Sequence, residues 1–113
     1  MYPSFCFGKI YLHRGSVDMR KSFEGLGGIV ESSFPGELLG GSMFVFINRR
    51  RTHVKILSWD GDGFVLWYKR LERGMFPNIL RGSDLIDRRQ LAMLLEGITP
   101  KRMNRRFSVH ENK

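Results

Sequence analysis

The sequence predicts a single small α+β domain, in which a small antiparallel β-meander sheet is joined by an N-terminal strand and flanked by two helices. Three apolar segments rich in β-branched and aromatic residues follow one another with short polar turns between them, which is typical of a meander. Apolar residues at helical spacing precede and follow these segments. A chain of 113 residues, 42% of them hydrophobic, can build one core and hardly two. We assign residues 1–99 to this domain and residues 100–113 to a basic C-terminal tail that we expect to be flexible.

The N-terminal strand is predicted at residues 9–12 (KIYL), because His13-Arg14-Gly15 interrupts the apolar run. A helix follows, and either Ser16 or Asp18 can serve as its N-cap. Phe34-Pro35-Gly36 ends this helix. One face of it is apolar at spacings of four, three and four residues, through Met19, Phe23, Leu26 and Val30.

Three glycines lie within this predicted helix, at Gly25, Gly27 and Gly28. Each weakens the helix by about 1 kcal/mol relative to alanine. Packing against the rest of the domain must therefore stabilise the helix. We expect the glycines to permit a close approach between the helix and a neighbouring strand.

The three strands of the meander differ in how they are covered. Met43–Asn48 is apolar on both faces, which is typical of a strand with a layer on each side. Val54–Trp59 alternates, so that Lys55 shares a face with Leu57 and Trp59. The sequence Asp60-Gly61-Asp62-Gly63 supplies the positive-φ residues of a hairpin turn, and Phe64–Arg70 returns as the third strand.

A second helix closes the domain after a predicted loop at residues 75–84 (MFPNILRGSD). Asp87 is its N-cap, and Gln90 stands three residues later as a capping box requires. Gly97 ends this helix. Its apolar face consists of Leu91, Leu94 and Leu95.

Positive charge is predicted to gather at one end of the sheet. The first and third strands of a meander run in the same direction, so the loop after the first strand lies beside the end of the third, about 10 Å away across the sheet. We call this end, where only Glu72 opposes the cations, the basic end, and we predict that its cations contact nucleic acid. These six residues are Arg49, Arg50, Arg51, Lys69, Arg70 and Arg73. Asp60 and Asp62 lie at the opposite end.

The overall charge favours a polyanionic partner. Nineteen Lys and Arg against eleven Asp and Glu give a net charge of +8 and a pI near 10.3, as in proteins that bind DNA or RNA. An acidic protein or a membrane surface would match the same charge, and solubility alone or a solvated loop tip is the remaining alternative. The single Cys6 forms no internal disulfide, and no signal peptide or membrane span is evident, which indicates a cytoplasmic protein.

The sequence predicts neither an enzyme nor a metal or cofactor site. Asp60 and Asp62 resemble the start of a calcium loop, but Phe64 and Leu71 occupy positions where such a loop requires oxygen ligands. The carboxylates are not expected to converge on a two-metal site, and no serine or cysteine has an adjacent base. No glycine-rich phosphate loop follows a strand.

Three segments resemble a known family. They are VDMRKSFEGL (Val17–Leu26), MFVFINRRRTHVKILSWDGDGFVLWYKRLERGMFP (Met43–Pro77) and LAMLLEGI (Leu91–Ile98). In this order they closely resemble the accessory protein TnpB, the product of the second reading frame, in bacterial insertion sequences of the family numbered sixty-six. The resemblance covers roughly residues 9–98.

The resemblance implies a factor that acts in DNA transposition beside a separate, larger transposase, which carries the catalytic acids. Two hypotheses follow. In the first, the protein binds the DNA of the insertion-sequence ends through its basic end and helps to recruit or orient the transposase. In the second, it is an adaptor that binds the transposase and contacts DNA weakly or not at all. The assignment of the arginines to DNA comes from charge and geometry, since the resemblance itself supplies no catalytic or binding residues.

Overall fold

The computed structural model describes residues 8–78 and 83–97 and contains a five-stranded sheet with two helices. The predicted α+β class, with its meander, N-terminal strand and two flanking helices, is confirmed. In chain order the elements are β1 (Ile10–Leu12), α1 (Phe23–Ser33), β2 (Met43–Ile47), β3 (His53–Trp59), β4 (Phe64–Arg70), β5 (Leu85–Ile86) and α2 (Arg88–Glu96). The predicted tail, residues 100–113, lies outside the described residues.

The strand order across the sheet is β4-β3-β2-β1-β5. The three meander strands are antiparallel to one another, and β3 pairs with β4 without interruption from His53 opposite Arg70 to Trp59 opposite Phe64. β1 lies parallel to β2, with Ile10 opposite Met43, so the sheet is mixed. β5 is antiparallel to β1 and forms the far edge. Neither the parallel pairing nor β5 is predicted from the sequence.

The sheet is the middle of three layers. Alternate side chains of the strands pack in two cores, one beneath α1 and one beneath α2. All five residues of β2 are buried, because Phe44 and Phe46 face the α1 layer while Met43, Val45 and Ile47 face the α2 layer. Coverage on both sides explains why this segment is apolar without alternation.

The start of α1 differs from the prediction. Ser22 is the N-cap, and its side chain forms no capping hydrogen bond, whereas neither predicted cap occupies that position. The Asp18 carboxylate instead accepts a hydrogen bond from the backbone N–H of Arg20, before the helix begins. Phe23, predicted on the buried face, is 44% exposed because it occupies the first turn. The end of the helix at Ser33, followed by Phe34 as C-cap, agrees with the prediction.

The glycines of α1 do not permit a close approach to a strand, so that expectation is wrong. A Cβ added at Gly27 would meet a methyl group of Leu38 at 3.7 Å, which is ordinary contact. One added at Gly25 would approach the side chain of Lys21, which lies just before the helix, at 3.1 Å. No contact in the described residues explains Gly28.

The predicted capping of α2 is confirmed at both ends. Asp87 accepts a hydrogen bond from the backbone N–H of Gln90 at 2.7 Å, and the Gln90 side chain accepts one from the Asp87 N–H at 2.9 Å. Gly97 is the left-handed C-cap, with φ of 79°. Within residues 8–78 and 83–97, neither helix is long and apolar enough to cross a membrane.

Candidate nucleic-acid interface

The loop between β2 and β3 is held closed by the side chain of Asn48. Its Oδ1 atom accepts hydrogen bonds from the backbone N–H groups of Thr52 and His53, each at 2.9 Å. The Arg51 N–H donates to the Asn48 carbonyl at 3.1 Å, which forms the turn that carries the arginines. This role of Asn48 was not predicted, although asparagine at the end of a strand is a common turn-forming residue.

Arg49 and Arg50 occupy the two central positions of that turn and are exposed. Neither forms an ion pair with a carboxylate in the described part of the chain. The loop therefore presents two uncompensated guanidinium groups in a conformation fixed by Asn48. A guanidinium offers paired N–H donors that match the oxygens of a phosphate.

Arg51 is turned inward. Its backbone is left-handed, with φ of 63°, and its Nε atom donates to the Phe76 carbonyl at 2.9 Å. The Phe76 N–H donates in return to the Arg51 carbonyl at 2.6 Å. One terminal nitrogen is buried without a hydrogen-bond partner among the described residues, and burial lowers the pKa of this guanidinium. Arg51 thus joins the arginine loop to the segment that follows β4.

The end of β4 lies beside this loop, because His53 is opposite Arg70 and the Leu71 N–H donates to the Thr52 carbonyl at 2.8 Å. The Lys69 amine donates to the carbonyl of Leu95, at the C-terminus of α2, where the helix dipole favours a cation. Arg70 pairs with Glu72 at 3.1 Å, and both side chains are largely exposed.

The six predicted residues therefore divide into two groups. Arg49, Arg50, Arg70 and Arg73 are exposed at the basic end. Arg73, like the two loop arginines, has no carboxylate partner in the described residues. Arg51 and Lys69 each use their side chains on a main-chain carbonyl instead.

Residues 17–21 form a second part of this end that the sequence analysis missed. The Val17 N–H donates to the Ile47 carbonyl, and the buried amine of Lys55 donates to the carbonyls of Met19 and Lys21, each at 2.8 Å. Lys55 is the one charged residue of the predicted strand Val54–Trp59, and this isolated charge was the feature of the sequence that indicated a buried polar contact. Its two bonds hold the segment against the α1 face of the sheet.

Arg20 and Lys21 are brought to the basic end by this attachment. Arg20 contacts the carboxylate of Asp18 at 2.6 Å, and its hydrogen bonds lower the pKa of Asp18 to about 2. The one acid of this segment is therefore neutralised by its neighbour, while Lys21 is exposed and adds positive charge.

A groove of about 420 Å³ runs between this segment and the arginine loop. Residues 16–19 line one side, and Asn48, Arg49, Arg50 and His53 line the other. The groove opens to solvent beside the two unpaired guanidinium groups, so a phosphate-bearing chain could lie along it.

The acidic turn lies at the opposite end of the sheet and acts as a turn. Asp60 Oδ1 accepts from the Gly63 N–H at 3.2 Å, and the Asp60 N–H donates to the Gly63 carbonyl at 3.0 Å. Of the two glycines, Gly61 has a positive φ of 108° and Gly63 does not, so Gly61 is the residue of this segment that supplies a positive φ to the turn. Among residues 8–78 and 83–97, no three His, Cys, Asp or Glu side chains converge as metal ligands would.

Comparison with known proteins gives consistent matches across the domain. Residues 8–105 match the protein family described as IS66 Orf2 like protein. The uncharacterized protein y4hO of Sinorhizobium fredii (strain NBRC 101917 / NGR234) is 36% identical over 100 residues, which cover 87% of each chain. The uncharacterized protein y4jC of the same strain is 30% identical over 92 residues, covering 80% of this chain and 79% of its own. No solved structure matches.

Proposed function

Because the chain belongs to the IS66 Orf2-like family, we propose that it is a non-catalytic accessory factor for transposition of an insertion sequence. In this proposal it binds the DNA of the element's ends through the basic end of its sheet and assists a separate transposase. The observation that carries the DNA contact is the pair Arg49 and Arg50, exposed and without carboxylate partners in the described residues on a loop fixed by Asn48.

The fixed loop suits phosphate binding for two reasons. No described carboxylate competes for the two guanidinium groups, so a phosphate replaces only water and counterions. The loop is already ordered by hydrogen bonds, so binding loses little conformational entropy. Arg70 and Arg73 extend the same surface, whereas Arg51 and Lys69 support it through their bonds to main-chain carbonyls. Such contacts go to the DNA backbone and supply affinity for any sequence.

The test is DNA binding by the double variant Arg49→Gln, Arg50→Gln. We expect weaker binding to element-end and unrelated duplexes alike, and a salt dependence (log K against log salt) shallower by about 0.9 for each phosphate that the variant no longer neutralises. Fluorescence anisotropy at several salt concentrations measures both quantities. A salt dependence equal to that of the wild type contradicts the assignment.

The matched control is Arg88→Gln, Arg89→Gln, which removes the same charge at the other end of the sheet. β5 runs antiparallel to β1 and leads directly into α2, so these two residues lie away from the arginine loop. We expect the control to bind DNA nearly as the wild type does. Equal weakening by both double variants would mean that net charge, and not the loop, determines binding.

The adaptor function remains the second candidate, and the exposure of apolar side chains near the basic end favours it. Tyr68 is 52% exposed and Met75 is 64% exposed. Aromatic residues, methionine and arginine are enriched where proteins bind proteins. Co-purification with the transposase from nuclease-treated extract, together with no binding of element-end DNA by the purified protein, would support the adaptor and exclude the DNA-binding proposal.

A further inference from the structure

β4 leaves one edge of the sheet open in the described part of the chain. The Asp60 N–H donates to the Gly63 carbonyl and the Leu71 N–H donates to the Thr52 carbonyl, so positions 63 and 71 face β3. Backbone groups alternate in direction along an antiparallel strand. The intervening positions 65, 67 and 69 therefore face β3 as well, while the N–H and C=O groups of alternate residues point outward. These outward-facing residues are Phe64, Leu66, Tyr68 and Arg70.

The chain does not fold back over this edge within the described residues. After β4 it turns toward the arginine loop, where the Phe76 N–H donates to the Arg51 carbonyl. The edge is seven residues long, contains no proline or glycine and pairs with β3 without a bulge. Natural proteins usually shorten, cover or distort such an edge. The far edge follows that rule, since β5 has two residues.

Charge is distributed along β4 so that the strand is complementary to itself in one orientation. The acidic turn with Asp60 and Asp62 precedes the strand, and Lys69, Arg70 and Arg73 stand at its end against Glu72 alone. An antiparallel second copy would place its acidic turn beside this basic end, and the reverse contact would form at the other end of the pair. A parallel copy would place like charges together.

We propose that two copies of this chain pair through β4 in antiparallel orientation, with the two-fold axis at Trp67. The sheets of the two copies, five strands each, then become continuous. Leu66 lies opposite Tyr68 of the second copy and Phe64 lies opposite its Arg70, so each outward-facing residue meets another outward-facing residue. Phe64, Val65, Leu66 and Trp67 are each partly exposed and gain cover in the pair. This inference does not depend on the proposed DNA contact.

The principal test compares Tyr68→Pro with Tyr68→Thr. The Tyr68 N–H points away from β3, so proline at this position removes an outward donor without breaking the bonds to β3. Both variants lose the Tyr68 ring, which lies over the Lys55 amine at 4.7 Å, so their difference isolates the backbone donor. Sedimentation equilibrium gives the mass at each concentration. We expect the wild type and Tyr68→Thr to reach twice the chain mass of 13.2 kDa, and Tyr68→Pro to dissociate at least tenfold more readily.

Amide hydrogen exchange of the wild type supplies a test that requires no variant. The N–H groups of Leu66, Tyr68 and Arg70 should be protected at high protein concentration and exchange on dilution, whereas those of Trp67 and Lys69 should be protected at both. A wild type that is monomeric at the highest concentration overturns the proposal. Protection of the Leu66, Tyr68 and Arg70 N–H groups that does not change with protein concentration also overturns it. Equal self-association by the two Tyr68 variants overturns it as well.

Discussion

Replacing Asn48 by alanine should release the arginine loop without changing the charge of the protein. The side chain accepts two backbone hydrogen bonds at 2.9 Å, from Thr52 and His53. A hydrogen bond of this kind contributes about 0.5–1.5 kcal/mol net, so the loss of both should lower the free energy of unfolding by about 1–3 kcal/mol. Urea denaturation followed by circular dichroism measures this difference.

The same variant separates the shape of the loop from its charge. Arg49 and Arg50 remain, so under the proposed function the salt dependence of DNA binding should stay as in the wild type. The affinity should fall, because a released loop must be ordered again on binding, and ordering one residue costs about 1–2 kcal/mol. The plot of log K against log salt should therefore have the same slope as that of the wild type and lie at lower affinity.

Asn48→Asp is the control for the loop's hydrogen bonds, since aspartate retains the Oδ1 acceptor. It should keep more of the stability than Asn48→Ala, although it loses the 3.1 Å donation from Nδ2 to the Thr52 hydroxyl. The reasoning about this loop is refuted if Asn48→Ala unfolds within about 0.5 kcal/mol of the wild type, the range of an ordinary surface substitution.

Three further predictions concern other features of the domain. Lys55→Met should lower the free energy of unfolding in urea by about 3 kcal/mol, since two charge-assisted hydrogen bonds are lost, and a change below about 1 kcal/mol would contradict their role. Gly61→Val should lower the melting temperature more than Gly63→Val, because a positive φ of 108° occurs at Gly61 and not at Gly63; equal effects would contradict this account of the turn. The Asp18 carboxyl should titrate near pH 2 by NMR, and Arg20→Gln should raise its pKa toward 3.8. Because the folded pKa is the lower one, the stabilisation by this pair is present above pH 3.8 and disappears as the pH falls through about 2, and an Asp18 pKa that does not change in Arg20→Gln would exclude Arg20 as the cause.

The elements that the sequence predicted correctly are those with strong local signals. β4 has its predicted bounds, and β2 and β3 differ from theirs by one residue at one end. Asp87, Gln90 and Gly97 determine α2 through contacts within a few residues, so its capping was predictable in detail. Such features depend on contacts between residues that are close in the chain, so they can be predicted from a single sequence.

The features that were missed depend on distant contacts. β5 has two residues, which are too few to show a period, and it exists because β1 is available to pair with it. The inward turn of Arg51 depends on the Phe76 carbonyl, 25 residues later. The three arginines are identical as a sequence pattern, so only this contact distinguishes the third from the exposed pair. The attachment of residues 19–21 by Lys55 likewise spans more than thirty residues.

The contact between Lys69 and Leu95 also places the C-terminal end of α2. Since the Leu95 carbonyl accepts from the Lys69 amine, the last turn of α2 ends beside the basic end of the sheet. Four cations follow Gly97 within nine residues: Lys101, Arg102, Arg105 and Arg106. Nine residues span at most about 30 Å, whatever their conformation. Chain length alone therefore limits how far these four charges can be from the Lys69 amine.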